Sequence, residues 1–394
     1  MPTVLIASDK FKGSLTAADV AAAVSAGVRR VRPDVDVVAV PVADGGDGTL
    51  AAAAAAGFAL VPVTATGPTG EPVATGYARR GEVAVVELAD ACGLVRLPDG
   101  PAPMTATSRG AGDVIAAAVD AGCTRILLGI GGSASTDGGA GLLRGLGARL
   151  LDDSGRELPE GGAALARLAA LDLTPLTERL AGVDVVVACD VDNPLTGPVG
   201  AAATYGPQKG ADPGQVAELD AALAHFADVV GRSSGRDVGD LPGAGAAGGV
   251  GFAALALLGA ELQPGIELVL DLVGFHDRIA GADLVVTGEG ALDEQTLHGK
   301  APAGVAAAAT AAGVPVVAVC GVNRLEPARL ATAGIRRAYA LTDLEPDVRR
   351  CLAAPRPLLE RLGEQIAAEH LPAAPAPVAQ TAVSRPVFSP GGHA

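Results

Sequence analysis

Gly129-Ile130-Gly131-Gly132-Ser133-Ala134-Ser135-Thr136-Asp137-Gly138-Gly139-Ala140-Gly141 follows the apolar run Arg125-Ile126-Leu127-Leu128 and precedes a helical pattern of Leu142, Leu143, Leu146 and Leu150. A strand that dissolves into glycines and hydroxyls just before a helix exposes backbone N–H groups at that helix's positive end, where an anion is stabilised. Glycine lets the backbone approach a ligand closely, and Ser133, Ser135 and Thr136 bring hydroxyl donors. Taken alone, the stretch fits a tight turn with a Ser/Thr/Asp helix cap equally well. Its weight comes from repetition, because the same device recurs along the chain.

Apolar runs at 4–7, 35–42, 83–88, 126–130, 183–188, 284–287 and 314–319 read as strands. Helical patterns lie at 15–30, 49–56, 111–121, 139–150, 214–231, 246–259, 302–312 and 355–369. Such alternation predicts an α/β fold with largely parallel sheets and right-handed crossovers. Residues 59–81, with Thr66-Gly67-Pro68-Thr69-Gly70, break the rhythm and read as short antiparallel strands or a hinge. A second break falls at 231–245. Two α/β domains are therefore expected, one of them discontinuous: 1–60 with 280–370, and an inserted domain over 61–279. The proline-rich end, 371–394, lacks apolar periodicity and is expected to be disordered.

The 394 residues are 49% hydrophobic but only 2% aromatic, so the core is built from Ala, Val and Leu, which suits buried parallel strands. A formal net charge of −15 without any basic run excludes nucleic acid as a partner. An anionic substrate must then be held by local donors or a metal. The five cysteines lack CxxC spacing and read as reduced thiols of a cytoplasmic protein. No stretch approaches the roughly 20 apolar residues that span a bilayer, so no membrane partner is expected.

In open parallel sheets, ligands sit at the carboxyl ends of the strands. Following the predicted strands come Ser8-Asp9-Lys10-Phe11-Lys12-Gly13-Ser14, Asp44-Gly45-Gly46-Asp47-Gly48-Thr49, the glycine-rich stretch, Cys189-Asp190-Val191-Asp192-Asn193-Pro194 and Thr287-Gly288-Glu289-Gly290. Thr105-Ala106-Thr107-Ser108-Arg109-Gly110, Gly206-Pro207-Gln208-Lys209-Gly210, Asp293, Gln295-Thr296 and Gly299-Lys300 add to them. Each alone is ordinary turn chemistry. Gathered at one cleft, they suit phosphoryl transfer: lysines and N–H groups hold phosphates, carboxylates hold magnesium, and one carboxylate accepts a hydroxyl proton. Other motifs fall away. Gly243-Ala244-Gly245-Ala246-Ala247-Gly248 matches GxGxxG, but polar 232–240 before it is no strand. Ser133 and Ser135 lack the last glycine of a nucleophile elbow. His225, His276 and His298 lack metal spacing, His298 reading as a loop histidine, and neither a Walker A sequence nor HRD or DFG is present.

Asp9-Lys10-Phe11-Lys12-Gly13-Ser14, Pro41 to Thr49, Gly129 to Gly141, Asp190 to Leu195, Gly206 to Ala211, and Thr287 to Gly290 with Asp293, Gln295-Thr296 and Gly299-Lys300-Ala301-Pro302 together resemble the bacterial glycerate kinase type I family, in its order, from about residue 3 to 370. The departures are the tail and Asp47, where the family pattern leads us to expect Glu. The resemblance implies a two-domain enzyme, its discontinuous domain Rossmann/flavodoxin-like, that phosphorylates glycerate with ATP and Mg2+ to give 2-phosphoglycerate. A homodimer is the assembly to test. A kinase for another small hydroxy acid and a non-catalytic phosphometabolite-binding protein are the competing readings.

Roles are assigned as expectations. Asp190 or Asp192 is the base for the acceptor hydroxyl, since paired acids after a strand suit base and metal roles. Lys12 and Arg109 are the candidates for glycerate's carboxylate, Arg offering a bidentate fork; Asp9, Ser14 and Asn193 join them on the substrate side, and Lys12 also takes a catalytic role. Gly131, Gly132, Ser133, Ser135, Thr136, Asp137, Glu289 and Lys300 are assigned to the nucleotide. Asp190, Asp44 and Asp293, with Glu289 as an alternative, are assigned to magnesium.

Overall fold

The computed structural model describes residues 1–297 and 299–372. His298, and the expectation of disorder over 373–394, lie outside the described residues. Leu371, which was expected to begin the tail, is buried against the core.

The strands are β1 (Thr3–Ser8), β2 (Asp36–Ala39), β3 (Ala59–Thr66), β4 (Pro72–Arg80), β5 (Val83–Glu87), β6 (Arg125–Gly129), β7 (Arg149–Leu151), β8 (Ala170–Asp172), β9 (Asp184–Ala188), β10 (Glu261–Gln263), β11 (Leu284–Leu292), β12 (Val316–Asn323) and β13 (Ile335–Ala340). One sheet is wholly parallel in the order β13-β12-β11-β1-β2. A second runs β10-β9-β6-β5-β4-β3, parallel from β10 to β5 and antiparallel through β4 and β3. β7 and β8 form a small separate ribbon. The fold is α/β with largely parallel sheets. The first sheet draws on both parts of the chain, and the second on the segment between.

The parallel strands are apolar on both faces because helices cover both. In the first sheet, Val4 and Ile6 of β1 pack with Val20, Val24, Leu359 and Leu362 from helices Ala17–Val31 and Pro355–His370. Leu5 and Ala7 point the other way, to Val269, Val305 and Ala309. Two helices then serve both sheets. Helix Gly265–Leu272 gives Ile266, Val269 and Leu270 to the first and Leu268 and Leu272 to the second. Helix Thr49–Ala55 divides in the same way, with Ala52 on one side and Ala53 on the other.

Residues 59–81 form antiparallel strands, one of the two readings expected, in a continuous ladder from Ala59↔Arg79 to Thr66↔Pro72. Other expectations change. Helix 139–150 shortens to Ala140–Gly145 and gives way to β7. Thr287-Gly288-Glu289-Gly290 belongs to β11 itself, because a glycine at 288 lets β12 approach: a Cβ there would lie 2.3 Å from the Val319 carbonyl oxygen.

Helices Ala17–Val31 and Pro355–His370 cross at Gly27 and Gly363, and a Cβ on Gly27 would lie 1.9 Å from the Glu360 carbonyl oxygen. Arg30 ties the same crossing to Glu360 at 2.9 Å and to Glu364. Gly27→Ala should therefore force the helices apart and cost about 1–3 kcal/mol. Thermal unfolding should show a lowered Tm; an unchanged Tm would refute this account of the crossing.

Candidate active site

The carboxyl ends of β1, β6, β9 and β11 converge on two adjoining cavities. The larger, about 570 Å³, is lined by Asp9, Lys10, Lys12, Ser14, Asp44, Asp47, Glu289, Asp293 and Lys300 at its polar end. Its apolar lining includes Val322, Leu341, Val348 and Leu352. The smaller, about 200 Å³, is bounded by Ser133, Asp190, Tyr205, Gln208, Lys209 and Ala247. Asp44, Gly131 and Gly132 line both.

Glycine makes this shared wall thin. A Cβ on Gly131 would lie 2.7 Å from the Gly46 Cα, and one on Gly129 would lie 2.5 Å from the Gly45 carbonyl oxygen. Gly45 has φ +83°, and a Cβ there would meet the Ala188 Cβ at 2.5 Å. The loops after β2 and β6 thus touch backbone to backbone. Gly265 closes the third side, where a Cβ would lie 2.1 Å from the Asp44 carbonyl oxygen and 2.9 Å from Asp190 Oδ2.

Charge in the larger cavity is unbalanced. Asp9 is buried, and burial pushes its carboxyl up to about 7; Lys10 at 3.6 Å opposes this, while Asp44 and Glu289 add to it. Burial alone would lower the Lys10 ammonium, but Asp9 and Asp47 hold it above its ordinary value. The Lys10 ammonium also lies 3.7 Å from Asp47 Oδ2 and donates to the Asp47 carbonyl. Burial raises Glu289 against the Thr296 hydroxyl, which donates at 2.5 Å, and against Lys300 at 3.8 Å. In the smaller cavity Asp190 accepts the Gly265 N–H at 2.7 Å, and burial pushes its carboxyl up to about 6.

Other candidate residues lie elsewhere. Ser135, Thr136 and Asp137 are fully buried and line neither cavity. Asp137 accepts N–H bonds from Ser108, Gly139 and Gly141, so it ties the turn to its neighbouring helix instead of facing a ligand. Arg109 opens helix Arg109–Asp120, with its guanidinium 3.1 Å from Glu160 and 3.7 Å from Asp113, and it borders neither cavity. Asp192 is exposed outside both. Asn193 also lies outside them, donating to the Val199 carbonyl at 2.7 Å and accepting from Tyr205 at 2.6 Å.

Two residues without an assigned role hold the site's shape. Buried Glu87, at the end of β5, accepts N–H bonds from Gly48 at 3.2 Å and Leu50 at 3.0 Å, fixing the Asp47–Thr49 turn; burial pushes its carboxyl up to about 7. An acid closing the apolar run Val83–Val86 was the available signal. Buried Lys209 is the other, its ammonium bound to the Ser133–Ser135 turn.

The glycerate kinase family model matches residues 4–371. The chain belongs to the glycerate kinase family. It is 48% identical to a protein named glycerate kinase from Bacillus subtilis (strain 168), covering 81% of this chain and 84% of that one. A protein named glycerate 2-kinase from Escherichia coli (strain K12) is 46% identical over the same shares of each chain. The crystal structure of a Salmonella typhimurium LT2 protein assigned as glycerate kinase 2 superposes with a TM-score of 0.81 at 41% identity, covering 93% of this chain and 97% of that one.

The raised Asp9 carboxyl has a consequence for stability. A group moved from 3.8 to about 7 stabilises the fold most below 3.8, and that stability is lost as pH rises towards 7. Asp9→Asn, measured with a chelator present, should therefore raise Tm at pH 8 and leave little difference near pH 3.5. A Tm at pH 8 equal to or below that of the unsubstituted protein would contradict it.

Proposed function

We propose that this protein transfers the γ-phosphoryl group of ATP to the 2-hydroxyl of glycerate, giving ADP and 2-phosphoglycerate. The observation that carries this reading is the pair of unequal cavities meeting at Asp44, Gly131 and Gly132. The larger suits a nucleotide, with its base against Val322, Leu341, Val348 and Leu352 and its phosphates towards Lys10, Lys12 and Lys300. The smaller suits a three-carbon acid.

In this reading Asp190 takes the acceptor proton. Its carboxyl, raised to about 6, is ionised near neutral pH yet basic enough to accept that proton as the oxygen attacks. The new O–P bond forms as the bond from the γ-phosphorus to the β-phosphate bridging oxygen breaks, and ADP carries away the electron pair. The Gly265 N–H fixes the carboxylate's orientation. Gly131 and Gly132 bring main chain to the point where the two substrates meet, with no side chain between them.

The donor set fits Mg2+. Asp44 and Glu289 raise the cost of charging Asp9, and Asp293 and Asp44 raise that of Glu289, a repulsion that a cation relieves. Among the described residues no group of three His, Cys, Asp or Glu is spaced to hold a metal unaided. Mg2+ commonly uses one or two carboxylates together with substrate phosphates. Asp44, Glu289 and Asp293 are the residues we assign to it; when bound it would neutralise charge developing on the phosphates. A cytoplasmic location agrees with five free thiols, and among the described residues no helix is long and apolar enough to cross a membrane. The reading does not require a homodimer.

Coupled ADP release should be fast with glycerate and slow with tartronate or lactate, and NMR of the product should place phosphorus on the 2-oxygen. Asp190→Asn should lower kcat by about 10²–10⁴ while leaving the ATP KM nearly unchanged. Near-normal turnover in a folded Asp190→Asn protein would remove Asp190 from the base role.

A further inference from the structure

The smaller cavity carries a buried cation in its wall. Among the described residues lining it, Lys209 is the single lysine or arginine, and it is 2% exposed. Its ammonium donates to Ser133 Oγ at 2.8 Å and to the Ser135 carbonyl. An ammonium has three hydrogens, and these two bonds are the ones it makes among the described residues. Removing a lysine from water is costly unless something recovers that cost, and among the described residues Lys209 forms no ion pair, Asp137 acting on it through its charge alone. Burial accordingly lowers Lys209 to about 8, with the more distant Asp137 opposing.

A neighbouring part of the cavity wall, packed on the same Ser135, is also held out of its relaxed state. Ala247 has φ 53°, the one positive-φ residue other than glycine among the described residues, and Gly248 and Gly249 continue the left-handed run at 71° and 95°. A non-glycine residue there costs about 1–3 kcal/mol, and such strain gathers where a ligand site fixes the backbone. The run is pinned by Gly138, whose N–H donates to the Gly248 carbonyl at 2.9 Å. It also packs on the glycine-rich turn, where a Cβ on Gly248 would lie 2.1 Å from the Ser135 carbonyl oxygen.

We propose that Lys209 is the carboxylate anchor of the acceptor, pairing with the acid group of a small hydroxy acid in the smaller cavity while Asp190 faces the hydroxyl. This rests on the phosphoryl-transfer reading above and adds the determinant of acid selectivity. It supplies the cation that Arg109, committed to Glu160 and Asp113, does not bring to the cavity. Lys209 also keeps its place as the brace of the Ser133–Ser135 turn, so nucleotide and acceptor are positioned by one loop.

The test compares glycerate with glyceramide, its neutral amide, in coupled ADP release, with glycerate binding followed by calorimetry on the full chain. The unsubstituted protein should prefer glycerate by about a hundredfold in kcat/KM. Lys209→Met should raise the glycerate KM about tenfold or more, leave the ATP KM within about twofold, and bring the two acceptors towards parity. Lys209→Gln keeps a donor for the Ser135 carbonyl and is made beside it as a second fold-competent variant, and Lys209→Arg should restore the preference. A purely structural role would lower activity on both acceptors equally. Parity in the unsubstituted protein, or an undiminished preference in either neutral variant, overturns the proposal. Tight glycerate binding that depends on Lys209 without any turnover would instead overturn phosphoryl transfer and leave the anchor standing.

Discussion

The contact between the loop after β2 and the loop after β6 is the constraint on which the site depends. Gly129 and Gly131 lie so close to Gly45 and Gly46 that the second loop admits no Cβ at either position. This is a steric condition, not an attractive one. Its cost is the backbone entropy of four glycines, and it is recovered by the cores on either side. With that contact in place, Asp44 stands between the cavities and the ends of two separate sheets share one mouth. With an alanine at Gly131, the wall between the two cavities would thicken by a side chain.

Electrostatics then sorts the residues that the backbone has gathered. Burial outweighs the Lys10 attraction at Asp9 and the Gly265 bond at Asp190, so both carboxyls rise above their ordinary range. A protein of formal net charge −15 gives an anionic substrate no long-range help. Attraction has to be local, and it comes from few groups: Lys10, Lys12 and Lys300 at the larger cavity, and Lys209 at the smaller. Lys10 is largely occupied by Asp9 and Asp47. The acids outnumber the free cations at the larger cavity, which is the condition under which a divalent ion lowers the energy of the whole set.

Much of this was legible in the sequence. β1, β5, β6 and β9 were plain because buried parallel strands are unbroken apolar runs, and the ligand loops followed from the rule that strands end at the site. β13 was hidden because Arg336 and Arg337 interrupt its apolar residues at the edge of the sheet. β11 ran longer than expected because glycine reads as a loop signal, whereas Gly288 serves a close strand approach. Ser135, Thr136 and Asp137 share residue types with ligand-binding turns, and sequence does not record that they point inward. Glu87 and Lys209 were masked for the opposite reason. One closed a predicted strand and the other sat in a ligand loop without a role of its own, and only the packing of distant segments buries them.

The two shared helices bear on how the sheets can move. The β3–β4 ladder is hydrogen-bonded along its length and belongs within one sheet, so it offers no joint. Chain crosses between the sheets at 56–58 and at 264–283, beside helices Thr49–Ala55 and Gly265–Leu272. Each helix buries adjacent residues against opposite sheets, so rotating one sheet away from the other strips apolar contact from both helices at once. Opening is therefore resisted at the level of core packing, not by a few surface pairs. A closure that keeps these contacts would be a small sliding of the two helices, the displacement that packed interfaces tolerate. Asp44 precedes one shared helix and Gly265 begins the other, so the same sliding would move the residues at the junction of the two cavities.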